Sequence, residues 1–252
     1  MRAGIIYRGP SLIDGAPIVA VALFVADAKD ANGKTGPMVQ TYILVDDERT
    51  SPDEAAALGL DASICGGCIH RYRWDAELQR FVRTCYVTLF QGPRVVWATL
   101  MNGDYPDAMN PDARAAIGRG RPVRLGTYGD PAAVPVAVWL DLLSQSTGRT
   151  GYTHQWRASK FAALKGLVMA SCDTPEDRTR ARAAGWGTFT VAPKGASVDG
   201  AELCGASAEA GKLTTCRDCQ MCDGRASSDI FIPAHGASAR MYSGRRSLTV
   251  LA

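Results

Sequence analysis

The sequence predicts an α/β fold: a small or incomplete βα barrel, extended by an N-terminal β-hairpin and a C-terminal cysteine-rich metal knuckle. Three observations lead there. Short apolar strands alternate with capped helices from Cys85 to "GTFTVAP". Each loop after a strand carries polar groups, as in "TYGDP", "THQW", "SCDTP" and "APKG", and active sites of βα barrels lie on that edge. No glycine-rich dinucleotide fingerprint or P-loop follows any strand, which argues against a nucleotide-cofactor domain. Residues 1–252 are expected to form one domain, with the hairpin and a CxxC element in 1–84, the βα units in 85–200 and the metal-binding segment in 201–252.

The elements are predicted in order. "APIVAVALFVADA" and "MVQTYILVDD" are apolar and β-branched, and the turn "KDANGKTGP" joins them as a hairpin. Ser51, Pro52 and Glu54 form a capping box that opens a short helix, which Gly59 ends. "CYVTLF" reads as a strand, and Gly92-Pro93 starts a helix through "RVVWATLM". Asn110-Pro111 caps the next helix, and "PVRLGTYGD" is a strand. After Pro135, Val136, Trp139, Leu140 and Leu143 share one helical face. "TGYTHQW" is a strand, "ASKFAALKG" is helical, and "LVMASCD" is a strand. Thr174 to Asp177 caps "RTRARAAG", and "GTFTVAP" and "DIFIPAH" complete the strands.

With 252 residues, 46% of them hydrophobic, the chain can bury one sizeable core. Its longest apolar run, "PIVAVALFVADA", is too short to span a bilayer, and "MRAGIIYRGP" lacks a signal-peptide pattern. A cytoplasmic location without membrane partners is therefore expected. The net charge of +3 is small, but basic residues cluster. Arg119, Arg121 and Arg124 in "RGRPVR" lead into the strand that ends at Asp130, and are the first candidates for a DNA-backbone footprint.

Tight cysteine spacing in a cytosolic chain points to metal rather than disulfides. "CRDCQMCDG" places Cys216, Cys219 and Cys222 at uniform intervals on a loop closed by Gly224, with Cys204 upstream and His235 downstream as rival fourth ligands. Zinc accepts either set; an iron–sulfur cluster is the alternative. "CGGCIHR" suggests a second knuckle, in which Cys65 and Cys68 are completed by Cys85 or His70. Cys172, beside Asp173, reads as a small buried hydrophobe.

Asp130 and Asp173 sit where two parallel strands should end. Each also precedes a proline-led helix start, so an ordinary capping role competes with a catalytic one. Tyr128, Gly129, His154 and Gln155 are candidate substrate contacts: an aromatic face, a close backbone approach and two hydrogen-bonding side chains.

The motifs "GPSLIDGAPIVAVA", "KTGPMVQTYIL", "SICGGCIHR", "CYVTLFQGPRVVW", "TGYTHQW" and "CGASAEAGKLTTCRDCQMCDG" resemble those of the bacteriophage-encoded 7-deazaguanine DNA transglycosylases, which look like shortened relatives of tRNA-guanine transglycosylase. The resemblance covers nearly the whole chain. It implies a TIM-like barrel, catalytic aspartates on its rim, and a structural zinc on Cys216, Cys219, Cys222 and His235. It further implies a glycosyltransferase in the host cytoplasm that replaces guanine in DNA with a 7-deazaguanine base through an aspartate nucleophile, the target base being flipped out of the duplex. Two departures stand out: two residues separate Cys216 from Cys219 where that family has one, and its glycine-rich base-recognition motif is absent. A non-enzymatic zinc-knuckle nucleic-acid-binding protein and an iron–sulfur enzyme are the rival readings.

Overall fold

The structure is a computed structural model, and it describes residues 1–25, 33–75 and 79–234. His235 lies outside the described residues, as does part of the predicted hairpin turn.

Eleven strands are present among the described residues: β1 (Ala3–Pro10), β2 (Pro17–Phe24), β3 (Val39–Val45), β4 (Arg73–Asp75), β5 (Arg80–Val82), β6 (Pro122–Tyr128), β7 (Gly148–Thr153), β8 (Met169–Cys172), β9 (Thr188–Ala192), β10 (Glu202–Leu203) and β11 (Asp229–Pro233). Seven helices accompany them: α1 (Pro52–Ala57), α2 (Ala62–Cys65), α3 (Gly92–Met101), α4 (Pro111–Gly118), α5 (Val136–Leu143), α6 (Pro175–Ala183) and α7 (Cys216–Cys219).

Nine strands form one sheet in the order β1-β2-β3-β6-β7-β8-β9-β11-β10. The predicted hairpin is there: β2 and β3 pair antiparallel, from Ile18 opposite Val45 to Phe24 opposite Val39. β1 adds a further antiparallel strand on β2. From β3 onward every pairing is parallel. The order follows the chain from β3 to β9 without the reversal that marks a doubly wound sheet. β1 and β10 are its two ends, so the sheet is open and no closed barrel is formed.

β2 explains why the sheet holds. Ile18, Val19, Ala20, Val21 and Ala22 are all fully buried, so both faces of the strand are covered and the sequence runs apolar instead of alternating. The helix signals also hold. Ser51 N donates to Glu54 Oε2 at 2.9 Å, Asn110 accepts from Ala113 N at 2.9 Å, and Thr174 accepts from Asp177 N at 3.1 Å. Trp139 of α5 is fully buried and donates to Pro131 O at 2.9 Å.

The expected helix in "ASKFAALKG" is present as a 3₁₀ helix over Ser159–Leu164. One sequence reading needs correction. "CYVTLF" is not a strand. Its backbone is satisfied elsewhere: Thr84 N and Cys85 N both donate to His70 O, at 3.2 and 3.0 Å. Arg83 in turn donates to the Cys85 and Val87 carbonyls at 3.3 and 2.7 Å. A guanidinium takes the place of a neighbouring strand, and the segment lines a cavity instead of extending the sheet.

Candidate metal centre

The parallel strands open at their carboxyl ends onto a cavity of about 560 Å³. Tyr128, Gly129 and Asp130 reach it from the end of β6, His154 from the end of β7, and Ser171 from β8. Cys65, Cys68, His70, Cys85 and Tyr86 also line it. A crevice outside the carboxyl ends of strands is where open α/β sheets bind ligands.

At one wall three side chains converge. His70 Nε2 stands 3.5 Å from Asp173 Oδ1, and His154 Nε2 stands 3.4 Å from the same oxygen. Among the described residues this is the one group of three or more histidine, cysteine or acidic side chains whose ligand atoms all lie within 4.8 Å of one another. His154 Nε2 and Asp173 Oδ1 are buried and make no hydrogen bond. Their spacing is that of ligands around a shared ion: bonds of about 2.0–2.1 Å at a tetrahedral angle set two donor atoms about 3.3 Å apart.

Each member is held from behind. Asp173 follows β8 directly, and Thr174 caps α6 in its place, so Asp173 is not a capping residue. Its other oxygen lies 3.9 Å from Arg157, which Asp177 anchors. His70 Nδ1 lies 2.9 Å from Thr84 Oγ1, leaving Nε2 toward Asp173, as a hydrogen bond to the far nitrogen orients a metal-binding imidazole. β4 and β5 form the hairpin that brings Thr84 back to His70. The His70 and His154 rings meet edge to face at 5.8 Å.

Electrostatics match the geometry. Burial works against a charge on Asp173, but His154 and His70 outweigh it and hold the carboxyl well below the usual carboxylate range. Burial likewise opposes protonation of His154, yet the Cys68 thiol and Asp173 carry its pKa well above the ordinary value. Cys68, from the "CGGC" loop, is within hydrogen-bonding reach of His154.

Asp130 plays a different part. Its Oδ1 accepts from Ala132 N at 3.0 Å, capping a 3₁₀ turn. Its Oδ2 accepts from His154 N at 2.8 Å and Gln155 Nε2 at 3.1 Å. Gln155 also donates to Cys65 O at 3.1 Å and accepts from Gly67 N at 3.2 Å. Gln155 is thus a clamp between Asp130 and the "CGGC" loop. Gly66 is required for it: its φ is +53°, and a Cβ there would lie 2.5 Å from the Gln155 side chain. Gly129, at φ +85°, sits so close to Ile43 that a Cβ would meet it at 2.7 Å.

The basic cluster is split. Arg119 is exposed and bonds to Gln145. Arg121 bonds to the Met1 and Ile117 carbonyls and stacks on Phe24. Arg124 is buried and lines the cavity. The first two precede β6 and the third points in from its middle, so the three do not share a surface.

The C-terminal cysteines share one region, but no three of their sulfurs lie within 4.8 Å of one another. Cys204 packs against the clusters that contain Cys216 and Cys222, and Cys204 lines the cavity. Cys216 and Cys219 bracket α7, capped by Thr215. Burial pushes the Cys222 thiol up to about 12 despite its bond with Tyr152. Cys172 is buried and donates to Ala170 O, and burial lifts its pKa to about 12, as suits a core thiol.

No family model, curated protein or solved structure matches the chain. No helix among the described residues is long and apolar enough to cross a membrane.

The convergence of His70 with His154 and Asp173 was not legible in any motif. One signal was available: the chain has only three histidines, and two of them fall in the polar segments "CGGCIHR" and "TGYTHQW".

Proposed function

We propose that the chain is a metal-dependent enzyme whose centre is His70, His154 and Asp173. The single observation that carries this is the meeting of two imidazoles and a carboxylate around one point beside the cavity, with His154 Nε2 and Asp173 Oδ1 buried and facing each other at 3.4 Å. The two atoms have each other and His70 as near polar neighbours, and a shared ion would give all three a ligand bond. Two histidines and one carboxylate suit zinc or ferrous iron and leave coordination positions for substrate. A bound ion of this kind supplies Lewis acidity or an activated water. Cys68 and the Asp130–Gln155 clamp orient the ligands, and the cavity takes the substrate.

The thiols Cys204, Cys216, Cys219 and Cys222 are proposed as a second, structural zinc set. The grouping of Cys204 with Cys216 and Cys222 supports it.

Base exchange on DNA is a narrower reading, and one observation favours it. Tyr42, Tyr86, Tyr128, Tyr152 and Phe189 line the cavity, a surface suited to a flipped planar base. Its difficulty is the nucleophile. Asp130 has both oxygens engaged, and Asp173 lies behind two imidazoles. The incomplete-barrel relationship belongs with this reading, supported by the sequential strand order.

Elemental analysis of the purified protein tests the metal proposal. Wild type is expected to carry one more zinc or iron per chain than His154→Ala or Asp173→Asn. Equal metal content in all three defeats it. Nucleoside mass spectrometry of DNA incubated with the protein and 7-deazaguanine bases tests base exchange separately.

A further inference from the structure

Arg124 is a buried cation without a carboxylate partner among the described residues. Its side chain sits in the middle of β6, the residue is 7% exposed, and it lines the same cavity as His70 and His154. A guanidinium offers five N–H donors. Here one is used on a side chain: Nη2 donates to Tyr86 Oη at 2.7 Å. Beyond that, the group lies 5.5 Å from the centre of the Tyr152 ring. None of the ion pairs among the described residues includes Arg124. Lys34 lines the same cavity, near Cys204 and Cys216 as well as Arg124. A guanidinium drawn out of water is costly unless an anion joins it.

We propose that Arg124, with Lys34, forms an anion subsite, so that the cavity's ligand carries a phosphate or carboxylate group at this end and presents its reacting part to the His70–His154–Asp173 centre. The naming of a substrate class rests on the metal-enzyme reading; the anion subsite itself does not. The guanidinium fork matches the oxygens of a phosphate or carboxylate in two parallel bonds. Tyr86 fixes the fork from one side, and Tyr152 covers its face.

The test is a titration of the intact protein with inorganic phosphate and, separately, acetate, followed by thermal unfolding and calorimetry. Phosphate distinguishes a tetrahedral dianion from the planar monoanion of acetate. One of the two is expected to raise the melting temperature of wild type and to bind at least tenfold more weakly to Arg124→Met. Arg124→Lys, which keeps the charge, covers the case in which Arg124→Met fails to fold; loss of the fork is expected to weaken binding about tenfold there too. The same titration on chelator-treated protein and on His154→Ala separates the two readings. Anion binding that persists there supports the subsite whether or not the metal proposal stands. Binding that is lost with the metal but kept in Arg124→Met places the anion on the ion and overturns the subsite. No response of wild type to either anion overturns it as well. So does a loss of zinc from Arg124→Met without any anion response, which would make Arg124 the counter-charge of metal-bound Cys204, Cys216 and Cys222.

Discussion

Asp130 is joined to His154 through the backbone: His154 N donates to Asp130 Oδ2 at 2.8 Å, while the His154 ring turns the other way, toward Asp173. Asp130, a candidate nucleophile in the sequence, therefore positions His154, the metal ligand proposed above. Asp130→Asn tests this. An amide replaces one oxygen, so either the cap on Ala132 or the pair of bonds from His154 and Gln155 loses its acceptor. The expected cost is about 1–3 kcal/mol of folding stability in denaturant melts, with weaker metal binding. An ordinary cap would lose almost nothing, because Asn caps as well as Asp.

Metal binding should release a proton. In the metal-free protein the raised pKa of His154 favours its protonated imidazole, and a ligand must be neutral. Apparent affinity is then expected to fall about tenfold for each unit of acidification below the folded pKa. The sign for stability is opposite without metal: protonated His154 stabilises the fold below its unfolded value of about 6.5 and loses that effect as pH rises through its folded value. Calorimetry in buffers of different ionisation heat reads the proton directly. Metal uptake with no proton release would show that His154 does not ligate.

Gly66 and Gln155 are coupled by space. Gly66→Ala is expected to destabilise the protein by about 1–3 kcal/mol, from the positive φ and the collision with Gln155 together. In a Gln155→Ala background the collision disappears and the φ penalty stays, so the cost should shrink without vanishing. Equal costs in both backgrounds would mean that the loop does not lean on Gln155.

Acid should loosen the β9–β11 edge. Asp229 at the start of β11 accepts from Arg178 Nε at 3.0 Å and from Thr188, and pairs with Arg182. Burial raises its pKa, but Arg178, Thr188 and Arg182 outweigh that and leave it lowered. The stability this provides is complete above the ordinary aspartate value of about 3.9 and is lost as pH falls through the folded value. Asp229→Asn should flatten the acid limb of the stability–pH curve below pH 4 relative to wild type. An unchanged acid limb would remove Asp229 from the account.

Local signals read well in this sequence because they depend on few residues. The Ser51–Glu54 box, the Asn110 and Thr174 caps and the unbroken apolar run of β2 all formed as their chemistry requires. "CYVTLF" failed because its alternation satisfies a strand template while Arg83 and the His70 carbonyl, both outside the window, take its backbone bonds. Asp130 and Asp173 look alike in sequence, each ahead of a proline-led turn. They part because Thr174 supplies the cap in one case, leaving Asp173 free of it, and Asp130 itself supplies it in the other. Arg124 read as part of a surface cluster, since spacing cannot reveal that a strand carries one arginine inward while its neighbours precede the strand.

The hairpin of β4 and β5 belongs to the two-stranded sheet, not the main one, and His70 at its base is far along the chain from His154 and Asp173. An ion shared by the three would work as a cross-link that ties this excursion to the ends of β7 and β8. Such a clip restricts the unfolded chain much as a disulfide does, and the more so for a long enclosed loop. The loaded protein would consequently unfold as one cooperative unit, whereas the empty one would release the hairpin first, baring Cys65, Cys68 and Cys85 to oxidants while the main sheet stays intact.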